Sequence, residues 1–92
     1  MFKAKFTSQF KKDIKRLDGA GDKNIKKLKD VIRKIMKCDT LEPRHRDHPL
    51  RGNWAGYRDC HIEPDWLLLY KTDPKAKVVI FVRTGNHSEL FG

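Results

Sequence analysis

The 92-residue chain has only two cysteines, Cys38 and Cys60, and they stand at no metal-ligand spacing. Two isolated thiols cannot form a disulfide framework, so reduced cysteines in a cytoplasmic protein are the simplest reading. Long apolar runs are also missing. The longest, around Leu67–Leu69 and Val78–Val82, fall far short of the roughly 18 residues that a membrane span needs, so no membrane partner is expected. The N-terminal MFKAKFTSQFKKD has charge but no continuous apolar stretch, which gives no reason to expect a secretion signal. No internal repeat, low-complexity tract or linker interrupts the chain. One domain over 1–92 is expected, with one modest core.

Acidic residues are scarce in the first half. Residues 1–40 carry thirteen lysines and arginines against five aspartates, whereas 41–92 are nearly balanced and hold all four histidines. The net charge of +9 suits a polyanionic partner, either nucleic acid or a strongly acidic protein. Lysine-rich helices are also simply well solvated, so charge alone does not choose between these readings. The first half reads as an electrostatic surface and the second as a chemical site.

Phe2–Phe6 alternates like a strand. Thr7 or Ser8 can cap a helix with Phe10, Ile14 and Leu17 on one face, broken by Asp18-Gly19-Ala20-Gly21. Asp22 can cap a second helix, extending to Cys38, with Ile25, Leu28, Val31, Ile32, Ile35 and Met36 in one stripe. A polar connection over 39–53 precedes three strands near 55–62, 66–71 and 77–84, joined by turns at Glu63-Pro64-Asp65 and Thr72-Asp73-Pro74-Lys75. Helices with a single apolar stripe must cover one sheet face, which predicts a two-layer α+β domain of order β-α-α-β-β-β. The first two strands are expected to run antiparallel. Cys60, Ile62, Ile80 and Val82 should face the helices, leaving Tyr57, His61, Phe81 and Arg83 on the open face.

The densest chemistry lies in 47–66, DHPLRGNWAGYRDCHIEPDW. Here His48, His61, Asp47, Asp65, Trp54 and Trp66 flank a segment that alternates like a strand. A hairpin would bring His61 and Asp65 together at its end. Gly85 would let the chain turn so that His87 returns towards them and Arg83. Each residue also has an ordinary reading. His48 can hydrogen-bond its loop, His61 can pair with Asp59 or Asp65, and Arg83 can form a plain salt bridge. Trp54, Tyr57 and Tyr70 suit packing, Asp47 and Glu63 suit turns, and His45 between two arginines should be exposed.

The stretches DHPLRGNW, GYRDCHIEPDWLLLY and RTGNHSELFG closely resemble the YafQ-like branch of the RelE-type bacterial toxins. The likeness is detailed over 47–92; before that it is a shared pattern of strand, two helices and basic charge. It implies a curved, mainly antiparallel sheet with the site on its open face. The implied activity is that of a ribosome-dependent mRNA endonuclease, with a neutralising antitoxin and the ribosome as partners. The family's functional positions fall on His48, His61, Asp65, Trp66, Arg83, His87 and Phe91, all present here.

Metal-free RNA cleavage uses the 2′-hydroxyl as nucleophile on the adjacent phosphorus. It needs a base for that hydroxyl, positive charge for the phosphorane and an acid for the leaving 5′ oxygen. Imidazole suits both proton transfers near neutrality. The assignment is His48 as base and His87 as acid, with His61 able to exchange roles with either. His61 and Asp65 would orient neighbours, Arg83 would clamp the phosphate, and Trp66 and Phe91 would stack on bases. Lys11, Lys12, Lys15, Lys26 and Lys27 would grip ribosomal RNA. A ParE-like toxin of the same fold, inhibiting DNA gyrase by binding, is the competing reading, although binding alone would not require the histidines. A metal site built from His48, His61, His87 and Asp65 lacks any short zinc spacing, and no cofactor is expected.

Overall fold

Thr7 is the hinge between the first strand and the first helix. Its hydroxyl accepts from the amide of Phe10 at 3.0 Å and donates to the carbonyl of Val82 at 2.7 Å, capping the helix and tying it to the sheet. A computed structural model describes residues 2–21, 23–37 and 41–91. Strand β1 (Lys3–Phe6) leads into α1 (Ser8–Ala20) and α2 (Ile25–Met36). The chain continues through β2 (His48–Pro49), β3 (Arg58–Glu63), β4 (Trp66–Asp73) and β5 (Val78–Gly85) to a short helix, α3 (His87–Phe91). Single-turn 3₁₀ segments at Pro43–His45 and Gly52–Trp54 flank β2.

Helix α1 runs through the expected break at Asp18–Ala20 and stops only at Gly21, whose φ of 74° is the left-handed geometry that ends helices. The described cap of α2 is Asn24, which accepts from the amide of Lys26 at 3.0 Å. The expected cap Asp22 and the expected helical Cys38 lie outside the described residues.

The sheet order is β1-β5-β4-β3-β2, with β1 parallel to β5 and every other pair antiparallel. Strands β1 and β3 therefore run the same way, not oppositely as the sequence suggested. Strand β2 is the cause. This two-residue segment, hidden in the polar connection, brings the chain back antiparallel to β3 and reverses the direction in which β3 must run.

Phe10, Leu17, Leu28, Val31 and Ile35 of the helices close over Cys60, Ile62, Leu68, Tyr70, Val79 and Phe81 of the sheet. Each such side chain contributes roughly 1.5–3 kcal/mol when fully buried. Cys60 and Ile62 face the helices as expected. Phe81 does too, and Ile80 and Val82 do not. The run Val78–Val82 is apolar throughout, so its sequence carries no alternation from which to set the phase. A bulge then shifts the register, because Tyr70 pairs with Phe81 but Leu69 pairs with Arg83, leaving Val82 as the extra residue. Val82 joins Leu67, Leu69, Leu90, Leu50 and Trp54 in a second cluster on the far face. Trp66 to Tyr70 are consequently buried on both sides.

Candidate active site

Three imidazoles gather at one end of the far face. His61 lies on β3 between two core residues and so points away from the helices. His87 is the first residue of α3, and its ring centroid is 5.8 Å from that of His61. A reciprocal cap fixes where α3 begins: Asn86 accepts from the amide of Glu89 at 2.8 Å, and Glu89 accepts from the amide of Asn86 at 2.9 Å. Asp65, in the β3–β4 turn, receives both the His87 amide at 3.2 Å and the ring Nδ1 at 2.7 Å. Those bonds hold the Asp65 carboxyl below the usual carboxylate range, so it is a fixed negative charge at neutral pH. His48, on β2, pairs across the sheet with Asp59.

The three rings share one tautomer. Nδ1 of His48 lies 2.6 Å from the Arg46 carbonyl, Nδ1 of His61 lies 3.1 Å from the Pro64 carbonyl, and Nδ1 of His87 meets Asp65. A carbonyl or carboxylate oxygen can only accept, so the proton sits on Nδ1 in each case. Nε2 is left as the nitrogen free to take or give a proton.

Asp59, which the sequence offered only as an ordinary partner for His61, is the residue whose place in the site was missed. It is buried; one carboxylate oxygen has no hydrogen-bond partner among the described residues, and the other is 3.9 Å from Nε2 of His48. Burial pushes its carboxyl up, while the charges of His48, His61 and His87 pull it down. A buried carboxylate short of hydrogen-bond partners in the field of all three imidazoles is costly to the fold and useful to proton transfer. The available signal was the two-residue spacing that sets Asp59 and His61 on one strand face.

Several expectations change in three dimensions. Trp66 is fully buried, its indole N–H donating to the hydroxyl of Thr84 at 2.9 Å, so its ring offers no face to a base. Phe91 remains 42% exposed and meets Trp54 edge-on at 5.9 Å, which leaves one aromatic surface open beside the histidines. His45 is buried rather than exposed, and its Nδ1 donates to the His61 carbonyl at 2.6 Å, pinning β3 next to the catalytic candidate. Arg83 lies opposite Leu69 and leaves β5 on the far face. Its guanidinium then turns across the β5 edge, which β1 leaves uncovered beyond Phe81, and binds Asp13 of α1 at 3.0 and 3.1 Å. Asp47 accepts from Tyr70 at 2.7 Å and Arg58 at 3.2 Å, and Glu63 pairs with Lys27 at 2.9 Å. Burial pushes the Cys60 thiol up, so it is an inert core residue.

Lys11, Lys12, Lys15, Lys26 and Lys27 are all exposed on the helical layer. A groove of about 600 Å³ between α2 and the β3–β4 turn is edged by Lys27, Arg33, Lys34, Lys37 and Arg44. Among the described residues, no three His, Cys, Asp or Glu side chains are arranged to hold a metal ion. None of the described helices is long and apolar enough to cross a membrane.

A strand and two helices leading into a mixed sheet, with clustered imidazoles on its open face, define a RelE-like toxin domain. Residues 2–92 match the family described as the bacterial toxin of type II toxin–antitoxin system, YafQ. The mRNA interferase toxin YafQ of Escherichia coli K12 is 44% identical over 89 residues, which span 95% of this chain and 92% of that protein. The crystal structure of YafQ from E. coli BL21(DE3) superposes with a TM-score of 0.89 at 39% identity, covering both chains completely. YafQ in the E. coli DinJ–YafQ complex does so with a TM-score of 0.87 at 40% identity, again over both whole chains. This chain belongs to the YafQ family of toxins of type II toxin–antitoxin systems.

Proposed function

We propose that this toxin cuts translated mRNA on the ribosome by metal-independent acid–base chemistry at the His48–His61–His87 cluster. That it is an endoribonuclease of the mRNA interferase kind follows from its family and its 44% identity to the E. coli enzyme. The observation that carries the mechanism is the packing of His87 against Asp65 and His61, with Nε2 free on every ring. Nε2 of His48 takes the proton of the 2′-hydroxyl, a task that His61 can share. The 2′ oxygen attacks phosphorus, the bond to the 5′ oxygen breaks, and the imidazolium of His87 protonates the leaving oxygen. The products are a 2′,3′-cyclic phosphate and a free 5′-hydroxyl. Asp65 supports His87 with a fixed negative charge, and Arg83 binds the phosphate. Phe91 supplies the stacking surface that Trp66 cannot.

The lysines of α1 and α2 grip ribosomal RNA while the far face receives the message. A cognate antitoxin, as DinJ is for YafQ in the E. coli complex, would keep the toxin silent in the cytoplasm. The test is cleavage of a message on programmed ribosomes in the presence of EDTA. Cleavage that ignores chelator and is lost in His87→Ala and His48→Ala supports the proposal. Near-wild-type cutting by both variants refutes the acid–base assignment, and an intact message with inhibited DNA supercoiling would move the protein to the gyrase-binding class.

A further inference from the structure

Asp13 lies on the middle turn of α1, in the helical layer, and is completely buried. No motif singles it out. Its carboxylate nevertheless receives five hydrogen bonds: from Arg83 Nε at 3.1 Å and Nη2 at 3.0 Å, Thr84 N at 3.2 Å, Arg16 Nη1 at 2.9 Å, and Gln9 Nε2 at 3.2 Å. The Arg83 bonds form a side-on fork, one oxygen to each nitrogen, which fixes the plane of the guanidinium. Nη1 of Arg83 reaches the Glu89 carbonyl at 3.4 Å. Three of the five N–H groups of the guanidinium are thereby used, and two remain for a phosphate.

The same α1 surface also holds α3. Arg16 bonds to Asp13 at 2.9 Å and to Glu89 at 2.8 Å, and Glu89 belongs to the cap that starts α3 at His87. Gly85 makes room for this crossing, since a Cβ there would lie 2.9 Å from the Glu89 carboxylate and 3.0 Å from Arg16.

We infer that Asp13 is the positioning residue for Arg83, so that α1 belongs to the cleavage apparatus as well as to the core. This rests on reading Arg83 as the phosphate clamp of the proposed reaction. Asp13 touches no substrate. It sets the direction of a cation that does, and a misplaced clamp loses transition-state stabilisation while keeping its charge.

The test is a double-mutant cycle on the full-length toxin, using single-turnover cleavage of a message on programmed ribosomes, with folding followed by circular dichroism. Asp13→Asn should lower the maximal rate by about 10²-fold without raising the half-saturating ribosome concentration, because the guanidinium stays charged but loses its fixed orientation. Added to Arg83→Ala it should change the rate less than about twofold, since a residue that acts through another has nothing left to act on. Arg83→Lys keeps the charge but cannot make the fork, and should fall as far as Asp13→Asn. Wild-type cleavage by folded Asp13→Asn, losses that multiply in the double variant, or full activity of Arg83→Lys overturns the inference. Where Asp13→Asn does not fold, full activity of Arg83→Lys still overturns the inference. Wild-type cleavage by Arg83→Ala would instead remove the clamp reading on which the inference stands.

Discussion

Asp13 and Asp59 are two aspartates buried to almost the same degree on opposite sides of one sheet, at 0% and 5% exposure. Around Asp13, at the junction of α1 and β5, donors are in excess. Burial pushes its carboxyl up, but the bonds from Arg83, Thr84, Arg16 and Gln9 outweigh that and hold it low. Around Asp59, between β2 and β4, donors are short and burial wins. A charge with five partners organises the fold around itself. A charge missing partners is retained at a cost to stability, and its neighbours, three imidazoles, indicate what the cost supports.

The largest test of this contrast is stability. Asp13→Ala should cost about 3 kcal/mol in urea unfolding, because the buried Thr84 amide loses its acceptor and the part-exposed Arg83 and Arg16 lose theirs. Asp59→Asn should cost nothing or raise the midpoint, because it removes an unsatisfied charge. Equal losses at the two sites would erase the distinction. Activity should follow a different order. His87→Ala should slow cleavage by ~10²–10⁴, the contribution of one proton-transfer group. Asp59→Asn should slow cleavage about tenfold, because the three imidazoles lose the carboxylate charge they surround. Normal cleavage by Asp59→Asn would reduce Asp59 to a strained bystander.

Acid titration sharpens the same comparison through its sign. A carboxyl held low in the folded state, as at Asp13, contributes stability that is complete above the unfolded value near ~3.9 and is lost as pH falls below it. A carboxyl pushed up, as at Asp59, makes the opposite contribution, with stability falling as pH rises from the unfolded value through the folded one. Wild-type protein should therefore lose stability below about pH 4, and Asp13→Asn should flatten that limb. Asp59→Asn should leave the acid limb in place and stabilise the protein above it. At Phe91, alanine should weaken message binding by about 1 kcal/mol, the low end of the value of one stacked base because one side of its ring already meets Trp54, with little change in melting temperature.

Much of this was readable from one strand of text. The apolar stripes of α1 and α2, the Glu63–Asp65 turn and the alternation through His61 indicated the layers and the position of His61 on β3, whereas His48 was expected in a loop and not on a strand. The resemblance of GYRDCHIEPDW and RTGNHSELFG marked His87, Arg83 and Phe91. Where the sequence misled, an identifiable property was missing. Val78–Val82 has no polar residue to set its phase, and a bulge at Val82 then changed faces again. His45 sits among arginines that look solvated, yet its ring is drawn in by the His61 carbonyl. Trp66 carries a side chain equally suited to stacking and to packing, and only the Thr84 hydroxyl beneath it decides between them. Asn86 and Glu89 spell a helix cap, but five residues of helix are too few to show periodicity.

Composition and local pattern determined the charge asymmetry, the two-layer class and the supply of imidazoles, because each depends on residues near one another in the chain. Tertiary structure alone decided that α1 grips Arg83 through Asp13, that β2 reverses the run of β3, and that Asp59 lies unsatisfied among three histidines. Those are meetings between residues distant in sequence, fixed by register and burial, and no local preference encodes which buried charge will find its partner.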